Sequence, residues 1–530
     1  MAIDWDRRVI PIWRNSKLSS FLPETRPIAQ KATISENFRL KKADVEKLVN
    51  IWKIEKNLGA AADLLNFSHI EEFKDLLIEP AQFLTSADYD LPKVLKDLAL
   101  SIVKTEVPAL QKSDSQEGLL NSFRQESSNL KKRLIIDPKN SIALIDLARL
   151  YAAQGQNEKA REAVLKAVYL KPNHRFILRS AARFFVHNKQ SDEAEFILAK
   201  SGSTNVDPWL MATHISLETI LGKTPKLLKK ANLIIKAKSI NPIHLSELAS
   251  SIATFEAFRG DIKSAKRNFN SALIAPNDNS LAQAIWAAQK FSMQINIKDE
   301  WLLSPFSHEA RYYQFITNAE FEAAITEARE WFLDEPYTLR PLRAAIYLAC
   351  VLGNYEDAER IARQALKFEK QDIELQNNLI YALAAQSKIE QAVSMLEEIV
   401  KVEKNVLGFN GGHTLANWGM IQFKLSNFEE GEKFYKLAIS QYEKDGNFLA
   451  KSQAAAYMAR ESVFSKNPNS ERILRETLSI LKIHPSKLAT KILEMSKLID
   501  RKEEKLEDLT RNWHYDEKRK LLILEKSRLK

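Results

Sequence analysis

Residues 141–174 read SIALIDLARLYAAQGQNEKAREAVLKAVYLKPNH, and this stretch decides the fold because its pattern returns at a spacing of 34 residues. Small and large apolar side chains recur at set positions, with a glycine near the middle and a proline near the end. The pattern positions are Leu147, Ala148, Tyr151, Gly155, Ala160, Val164, Ala167 and Pro172. A fixed period of this length is typical of a repeat protein, in which each unit packs on its neighbours.

Each unit is predicted to form two antiparallel helices joined by a short turn. Small residues let the two helices approach closely, large residues fill the space between them, and the proline ends the second helix. The pattern continues in 175–208 and returns in 305–338, 339–372, 373–406 and 412–445. It is degenerate between 209 and 304, and residues 446–483 favour one more hairpin.

These positions resemble the tetratricopeptide repeat family over about 115–483. The resemblance implies an all-α fold in a bacterial-type protein: a right-handed α-solenoid of TPR-like helical hairpins, with a helical N-terminal region and C-terminal capping helices. Four regions follow from it. They are a non-repeat region with an extended start and then helices (1–115), a first array that is degenerate after 208 (116–304), a second array (305–483), and a capping helix with a basic tail (484–530).

The N-terminal region does not follow the period. Its first 30 residues contain three prolines and are predicted to be extended, with aromatic side chains as anchors: Trp5, Trp13 and Phe21. Helices are predicted at 42–56, 58–66 and 69–78. Residues 62–68 resemble the turn of a helix-turn-helix, but the acidic residues of the next predicted helix would repel phosphates and favour a plain helical cap.

At the other end, the chain closes with a charged tail that contains one apolar run, Leu521-Leu-Ile-Leu. Because terminal repeats need a cap, we expect this run to dock on the last repeat.

Composition restricts the class of protein. The chain has 530 residues, a net charge of +10 and a single cysteine, Cys350, so no internal disulfide is possible. This cysteine usage, a charged start and the lack of long apolar stretches predict a cytoplasmic protein without a membrane span. The moderate positive charge permits an anionic partner without requiring one.

No catalytic constellation stands out in the sequence. A phosphate-binding Gly-rich loop and a His-Glu-x-x-His zinc motif are both missing, and no two of the nine histidines share a helical turn. Cys350 is interpreted as a small packed residue rather than a nucleophile. We therefore expect no enzyme, no cofactor, no metal site and no small-molecule substrate; an enzyme with an unrecognised site in 1–115 is the alternative.

The resemblance also implies where a partner would bind, because first helices of this family line the concave groove. The groove residues predicted in this way are Arg149, Arg179, Arg183, Arg340, Arg343, Tyr347, Asn377 and Tyr381. Arginine binds carboxylate or phosphate well, but these arginines are equally compatible with salt bridges between adjacent repeats. Ile145 and Arg149 stand where chaperone-binding members carry Lys and Asn, which disfavours docking of a chaperone C-terminus.

A basic face is predicted between 223 and 267, where ten basic residues meet three acidic ones. The basic residues are Lys223, Lys226, Lys229, Lys230, Lys236, Lys238, Arg259, Lys263, Lys266 and Arg267. Such a face is either a solvated surface or a site for a phosphate backbone, and binding of the latter kind depends steeply on salt.

Two functions are therefore carried forward. The first is a non-catalytic protein-interaction scaffold, or a regulatory or sensor subunit of a larger assembly, with a protein or peptide partner in the groove. The alternative is a nucleic-acid-binding accessory subunit, for example of a bacterial defence or RNA-processing complex, that uses the basic face.

Overall fold

A computed structural model describes residues 10–16, 22–25, 28, 37–65, 74–86, 95, 99–100, 102–103, 116–291, 293–304, 306–403, 411–500, 513–516 and 521–524. These residues are almost entirely helical, apart from three short strands near the C-terminal end. Successive helices pair as hairpins and stack on the next hairpin. This confirms the all-α solenoid of TPR-like hairpins that the 34-residue period predicts.

The N-terminal region contains a small helical cluster with its own core around Trp52, Leu64 and Leu77. Its helices are α1 (Asn37–Ile54), α2 (Leu58–Leu65) and α3 (Lys74–Ser86). The first two agree with the predicted helices. The predicted start of the third at 69, and residues 66–68 of the helix-turn-helix candidate, lie outside the described residues. Within them, the helix begins at Lys74.

The first array opens with one long helix and continues as hairpins that become irregular after residue 208. Its helices are α4 (Gln116–Ile136), α5 (Ser141–Ala153), α6 (Asn157–Leu170), α7 (Arg175–His187), α8 (Ser191–Lys200), α9 (Pro208–Ile220), α10 (Leu228–Ala237), α11 (Ser246–Phe258), α12 (Ile262–Ala272), α13 (Asp278–Lys290) and the four-residue α14 (Asp299–Leu302). Short 3-10 helices lie at Pro23–Thr25, Gly202–Asn205 and Pro242–His244.

The second array is regular throughout. Its helices are α15 (His308–Asn318), α16 (Phe321–Asp334), α17 (Arg340–Val351), α18 (Tyr355–Ala365), α19 (Ile373–Ala385), α20 (Ile389–Glu403), α21 (Gly411–Lys424), α22 (Phe428–Lys444), α23 (Phe448–Phe464) and α24 (Ser470–Ile483). One continuous core joins these hairpins, from Phe321 to Ile499. Residues 404–410, between α20 and α21, lie outside the described residues.

In the six repeats that keep the sequence pattern, the turn inside the hairpin has a left-handed residue at position 15. Gly155 and Gly353 fill it with φ of +72° and +78°, a conformation that glycine adopts without a steric penalty. Other repeats place a residue with a side chain there: Lys189, Ala319, Ser387 and Ser426, with φ between +60° and +63°. The backbone geometry of the turn is thus kept even where the glycine of the sequence pattern is lost.

The C-terminal end combines a helix with a small sheet. Helix α25 (Lys487–Met495) packs against α23, as expected of a cap. The strands are β1 (Ile499–Asp500), β2 (Trp513–Asp516) and β3 (Leu521–Leu524), with β3 in the middle, parallel to β1 and antiparallel to β2. The apolar run at 521–524 therefore pairs with the backbone directly after α25, so capping helices alone do not describe this end.

Part of the predicted extended start enters the first array. Ile10 and Trp13 are buried in the same core as helices α5 to α9 and Tyr337 of the second array. Trp13 thus fulfils its predicted role as an anchor, whereas Trp5 and Phe21 lie outside the described residues. None of the described helices is long and apolar enough to cross a membrane.

Candidate functional site

The groove of the first array contains the chain's own N-terminal segment, which we define as residues 10–16. The backbone N–H of Trp13 donates to the hydroxyl of Tyr337 at 2.8 Å, and its indole packs against the rings of Phe184 and Tyr337. Arg149 Nε donates to the carbonyl of Trp13 at 2.9 Å. Trp13 is only 2% exposed, so its contacts hold the N-terminal segment firmly in the groove.

The next residue of the N-terminal segment, Arg14, forms a buried ionic network. Its Nε donates to Asp334 at 2.7 Å and its Nη2 to Asp278 at 2.8 Å, while the guanidinium lies over the ring of Phe306. Ser16 ends the contact by donating its backbone N–H to Asp146 at 2.8 Å. Buried charges are tolerated only when they are paired in this way, so these acids are complementary to the segment.

The predicted groove arginines of the first array are buried and bind carboxylates or carbonyls of the chain itself. Arg179 is bound by both oxygens of Glu247, at 2.8 and 3.1 Å. Arg149 donates to the carbonyl of Asp334 at 2.9 Å in addition to Trp13. These contacts connect distant repeats, not the adjacent ones of the salt-bridge alternative, and only that of Arg179 with Glu247 is a salt bridge.

Arg183 makes the most buried of these pairs, with Glu335 from the end of α16. Burial alone would raise the pKa of Glu335, but the charges of Arg183 and Arg340 and the hydrogen bonds from Arg183 and Trp331 lower it to about 2. Both partners are at most 1% exposed. A charge pair of this kind is part of the packing of the groove, because removal of one partner leaves the other buried and unpaired.

In the second array, the two predicted arginines are also paired. Arg340 donates to Glu309 at 2.8 Å, and Arg343 binds Asp372, the residue that caps the start of the next first helix, α19. These two pairs connect neighbouring hairpins, as the salt-bridge alternative predicts. Their guanidinium groups retain some exposure, 11% and 18%, in contrast to Arg183.

The remaining predicted groove residues of the second array come together around one cavity of about 130 Å³. First helices α17, α19, α21 and α23 line it. The predicted groove residues Tyr347, Asn377 and Tyr381 line it. Cys350 and Glu374, from the same two first helices, also line it. The lining that sequence analysis missed includes Asn378, His413, Asn417, Tyr442, Gln453 and Tyr457.

The cavity wall is apolar over most of its area, and its polar groups are mainly uncharged hydroxyls and amides. The amide of Asn417 donates to the side-chain oxygen of Asn377 at 3.0 Å, and Asn377 donates to the hydroxyl of Thr414 at 3.2 Å. Burial raises the pKa of Tyr347 and Tyr381 well above the usual range, so both hydroxyls are neutral. The Tyr347 hydroxyl has no hydrogen-bond partner among the described residues.

Arg460 supports this wall from α23. Its guanidinium carbon lies 5.6 Å from the ring centre of Tyr381 and 5.0 Å from that of Tyr457, and it donates to the hydroxyl of Tyr355 at 3.2 Å. Adjacent Glu461 neutralises its charge. The rings of Tyr381 and Tyr457 are therefore held against a buried cation.

The missed residues had a signal in the sequence. His413 and Ala416 occupy positions 2 and 5 of repeat 412–445, which are groove positions of the family. Applying the groove rule to that repeat would have found them. Gln453 and Tyr457 belong to the hairpin after it, whose weaker pattern does not fix the register.

Cys350 is a packed thiol. It is 3% exposed, and burial raises its pKa to about 12. A thiol with so high a pKa is protonated at neutral pH and is a poor nucleophile. This favours the interpretation of Cys350 as a core residue that closes one side of the cavity.

The ten residues of the basic face are all exposed, on α10, α12 and the connections beside them. Two of them approach acids only loosely, with Lys223 at 3.7 Å from Asp192 and Lys226 at 3.8 Å from Glu195. Exposed pairs at such distances contribute little to stability. The face is thus exposed to solvent, which both interpretations of it require: a solvated surface and a site for a phosphate backbone.

Residues 142–174 match the family model described as the tetratricopeptide repeat. The matched segment is the stretch from which the 34-residue period was read, so the resemblance is confirmed for that repeat. No curated protein matches the chain.

Among solved structures, the chain is similar to yeast Tom70, with 13% identity, a TM-score of 0.30, and coverage of 72% of this chain and 96% of that one. It is also similar to the APC/C hetero-tetramer Cut9–Hcn1, with 14% identity, a TM-score of 0.29, and coverage of 86% and 93%. Likeness at these scores carries no argument about function.

Proposed function

We propose that this chain is a non-catalytic interaction scaffold or regulatory subunit, cytoplasmic, that binds a protein partner in the groove of the second array. The observation that carries the proposal is the cavity lined by Tyr347, Asn377 and Tyr381. Neutral hydroxyls and amides at this density suit the backbone of an extended peptide, which offers donors and acceptors in alternation. The N-terminal segment fills the first groove, so the second groove is the accessible one.

The proposal is tested by affinity purification from the native host, with the wild-type chain and cavity variants as bait. Asn378→Ala and Gln453→Ala remove half-buried cavity side chains without opening the core. Glu397→Ala, exposed on second helix α20, is the matched control. We expect one partner to be recovered by the wild type and the control and to be depleted with both cavity variants. Equal recovery by all baits would contradict the proposal.

Nucleic-acid binding is kept as a second candidate because all ten residues of the basic face are exposed. The test is a salt titration with labelled single- and double-stranded oligonucleotides. If Lys226, Lys229 and Lys230 each contact a phosphate, changing all three to Glu would weaken binding and reduce the slope of log K against log salt by about 3. In the matched control, three exposed lysines of the first repeat are changed to Glu instead: Lys159, Lys166 and Lys171.

No binding at low salt would eliminate this candidate. Equal losses of affinity in the basic-face variant and the control would also eliminate it, because a general charge effect does not require a defined face.

A further inference from the structure

The described residues bring one group of potential metal ligands together, at the junction of α8 and α9. His214 and Glu218 lie one turn apart on α9, and Glu195 faces them from α8. His214 Nε2 is 3.6 Å from a Glu195 oxygen, and His214 Nδ1 is 3.3 Å from a Glu218 oxygen. Side chains four residues apart share one face of a helix, which is why two of the three are brought together locally.

These side chains are buried without being satisfied. His214 is 3% exposed and Glu218 is fully buried, yet both ring nitrogens and Glu218 Oε1 have no hydrogen-bond partner among the described residues. An unsatisfied buried polar atom is costly, and such atoms are rare in folded proteins. One cation bound to a single ring nitrogen of His214 and to Glu218 Oε1 would satisfy two of these three atoms.

The chemistry of the group suits a divalent cation. Two carboxylates and an imidazole are ligands of Zn²⁺ and related first-row metals. One ligand atom from each residue can be chosen so that all lie within 4.8 Å of one another. In a tetrahedral zinc site with bonds of about 2.0–2.2 Å, ligand atoms are about 3.3–3.6 Å apart, so a small movement of the side chains would close the site.

The surroundings also fit such a site. The backbone N–H of Lys226 donates to Glu218 Oε2 at 3.0 Å and orients that carboxylate. The side chain of Glu195 is 15% exposed and gives access from solvent. The ammonium of Lys226 is 3.8 Å from Glu195, but its side chain is 74% exposed and is free to turn away when a cation binds.

We propose that Glu195, His214 and Glu218 bind one divalent first-row metal ion, with Zn²⁺ as the best fit, and that the ion stabilises the junction of α8 and α9. A water molecule would complete four-coordination on the solvent side. The ion would neutralise two carboxylates next to the start of the irregular part of the first array. The site lies away from the cavity of the second array and does not depend on the proposed function.

The test is calorimetric titration of the chelator-treated full-length chain with ZnCl2, together with thermal unfolding with and without Zn²⁺. We expect one ion to bind per chain and to raise the melting temperature. Glu195→Gln keeps the size of a partly exposed side chain and should weaken Zn²⁺ binding on the order of tenfold or more. Glu218→Gln is the second ligand variant, and circular dichroism checks that both are folded.

Glu193→Gln is the matched control, because Glu193 is exposed on the same helix and loses the same charge. It should bind Zn²⁺ as the wild type does. The proposal is overturned if the wild type binds no Zn²⁺, or if Glu195→Gln binds it as tightly as Glu193→Gln. In the second case, another histidine of the chain would be the site of binding.

Discussion

The two arrays are built from the same hairpin, yet their grooves differ. The first groove is filled by the N-terminal segment and fixed by buried charge pairs such as Arg183 with Glu335. The second groove has a cavity whose wall carries tyrosines and amides, and the hydroxyl of Tyr347 has no hydrogen-bond partner among the described residues. Groove positions therefore hold the chain's own N-terminal segment in the first array, whereas in the second array several of them line a cavity.

The largest expected effect is on the first groove. Arg183→Ala leaves Glu335 buried and unpaired, so the free energy of unfolding should fall by about 3–5 kcal/mol. The measurement is urea denaturation followed by circular dichroism. Lys433→Ala breaks an exposed pair with Glu430 and is the control, with an expected loss of less than about 1 kcal/mol. Equal, small losses in both variants would show that the first groove is not held by its charge pairs.

Removal of the Trp13 side chain should lower the free energy of unfolding somewhat less than Arg183→Ala does. Truncation of a buried Trp in a core costs about 3–5 kcal/mol, but here the N-terminal segment can leave the groove, so its docking free energy limits the loss. We expect Trp13→Ala to make bonds near the segment sensitive to a protease while the second array stays resistant. If the cleavage pattern is unchanged, the segment is not anchored by Trp13.

The sequence predicts the hairpins well because their determinants are local. Small residues such as Ala160 and Ala358 and the turn at Gly155 act within one repeat, and the pattern therefore fixes the helix bounds closely. Carrying groove positions from one repeat to the next also selects Tyr347 and Tyr381, which line one cavity.

The filling of the first groove was not predictable in this way. Trp13 contacts Tyr337 across 324 residues, and Arg183 contacts Glu335 across 152. Such contacts depend on the curvature of the whole array, which accumulates from small rotations between repeats and has no local signal. The Glu195–His214 contact was missed for a related reason, since it depends on packing at the junction of two repeats.

A smaller effect is expected from pH, through Glu24 beside the first groove. Burial raises the pKa of Glu24 to about 7; the charge of Arg179 opposes the shift, and Asp278 and Glu247 add to it. An acid with a raised pKa holds its proton more tightly in the folded chain, so stability should fall as pH rises from about 4.5 to about 7.

Glu24→Gln should remove this part of the pH dependence and raise stability at pH 8 by about 1–2 kcal/mol. Thermal unfolding of the variant and the wild type between pH 5 and 8 measures both changes. Glu158→Gln, at an exposed position of α6, should leave the profile of the wild type unchanged. A Glu24→Gln profile that still falls with pH would assign the dependence to another group.

The smallest effect on stability is expected in the second groove, and it separates the two arrays most clearly. The Tyr347 hydroxyl makes no hydrogen bond among the described residues, so Tyr347→Phe should change the free energy of unfolding by less than about 0.5 kcal/mol. If this hydroxyl binds a partner, the same variant should weaken partner binding by about 3–10-fold, the value of one hydrogen bond. Denaturation and titration with the purified partner give the two values. A loss of stability without a loss of binding would make Tyr347 a structural residue, and the second groove would then resemble the first.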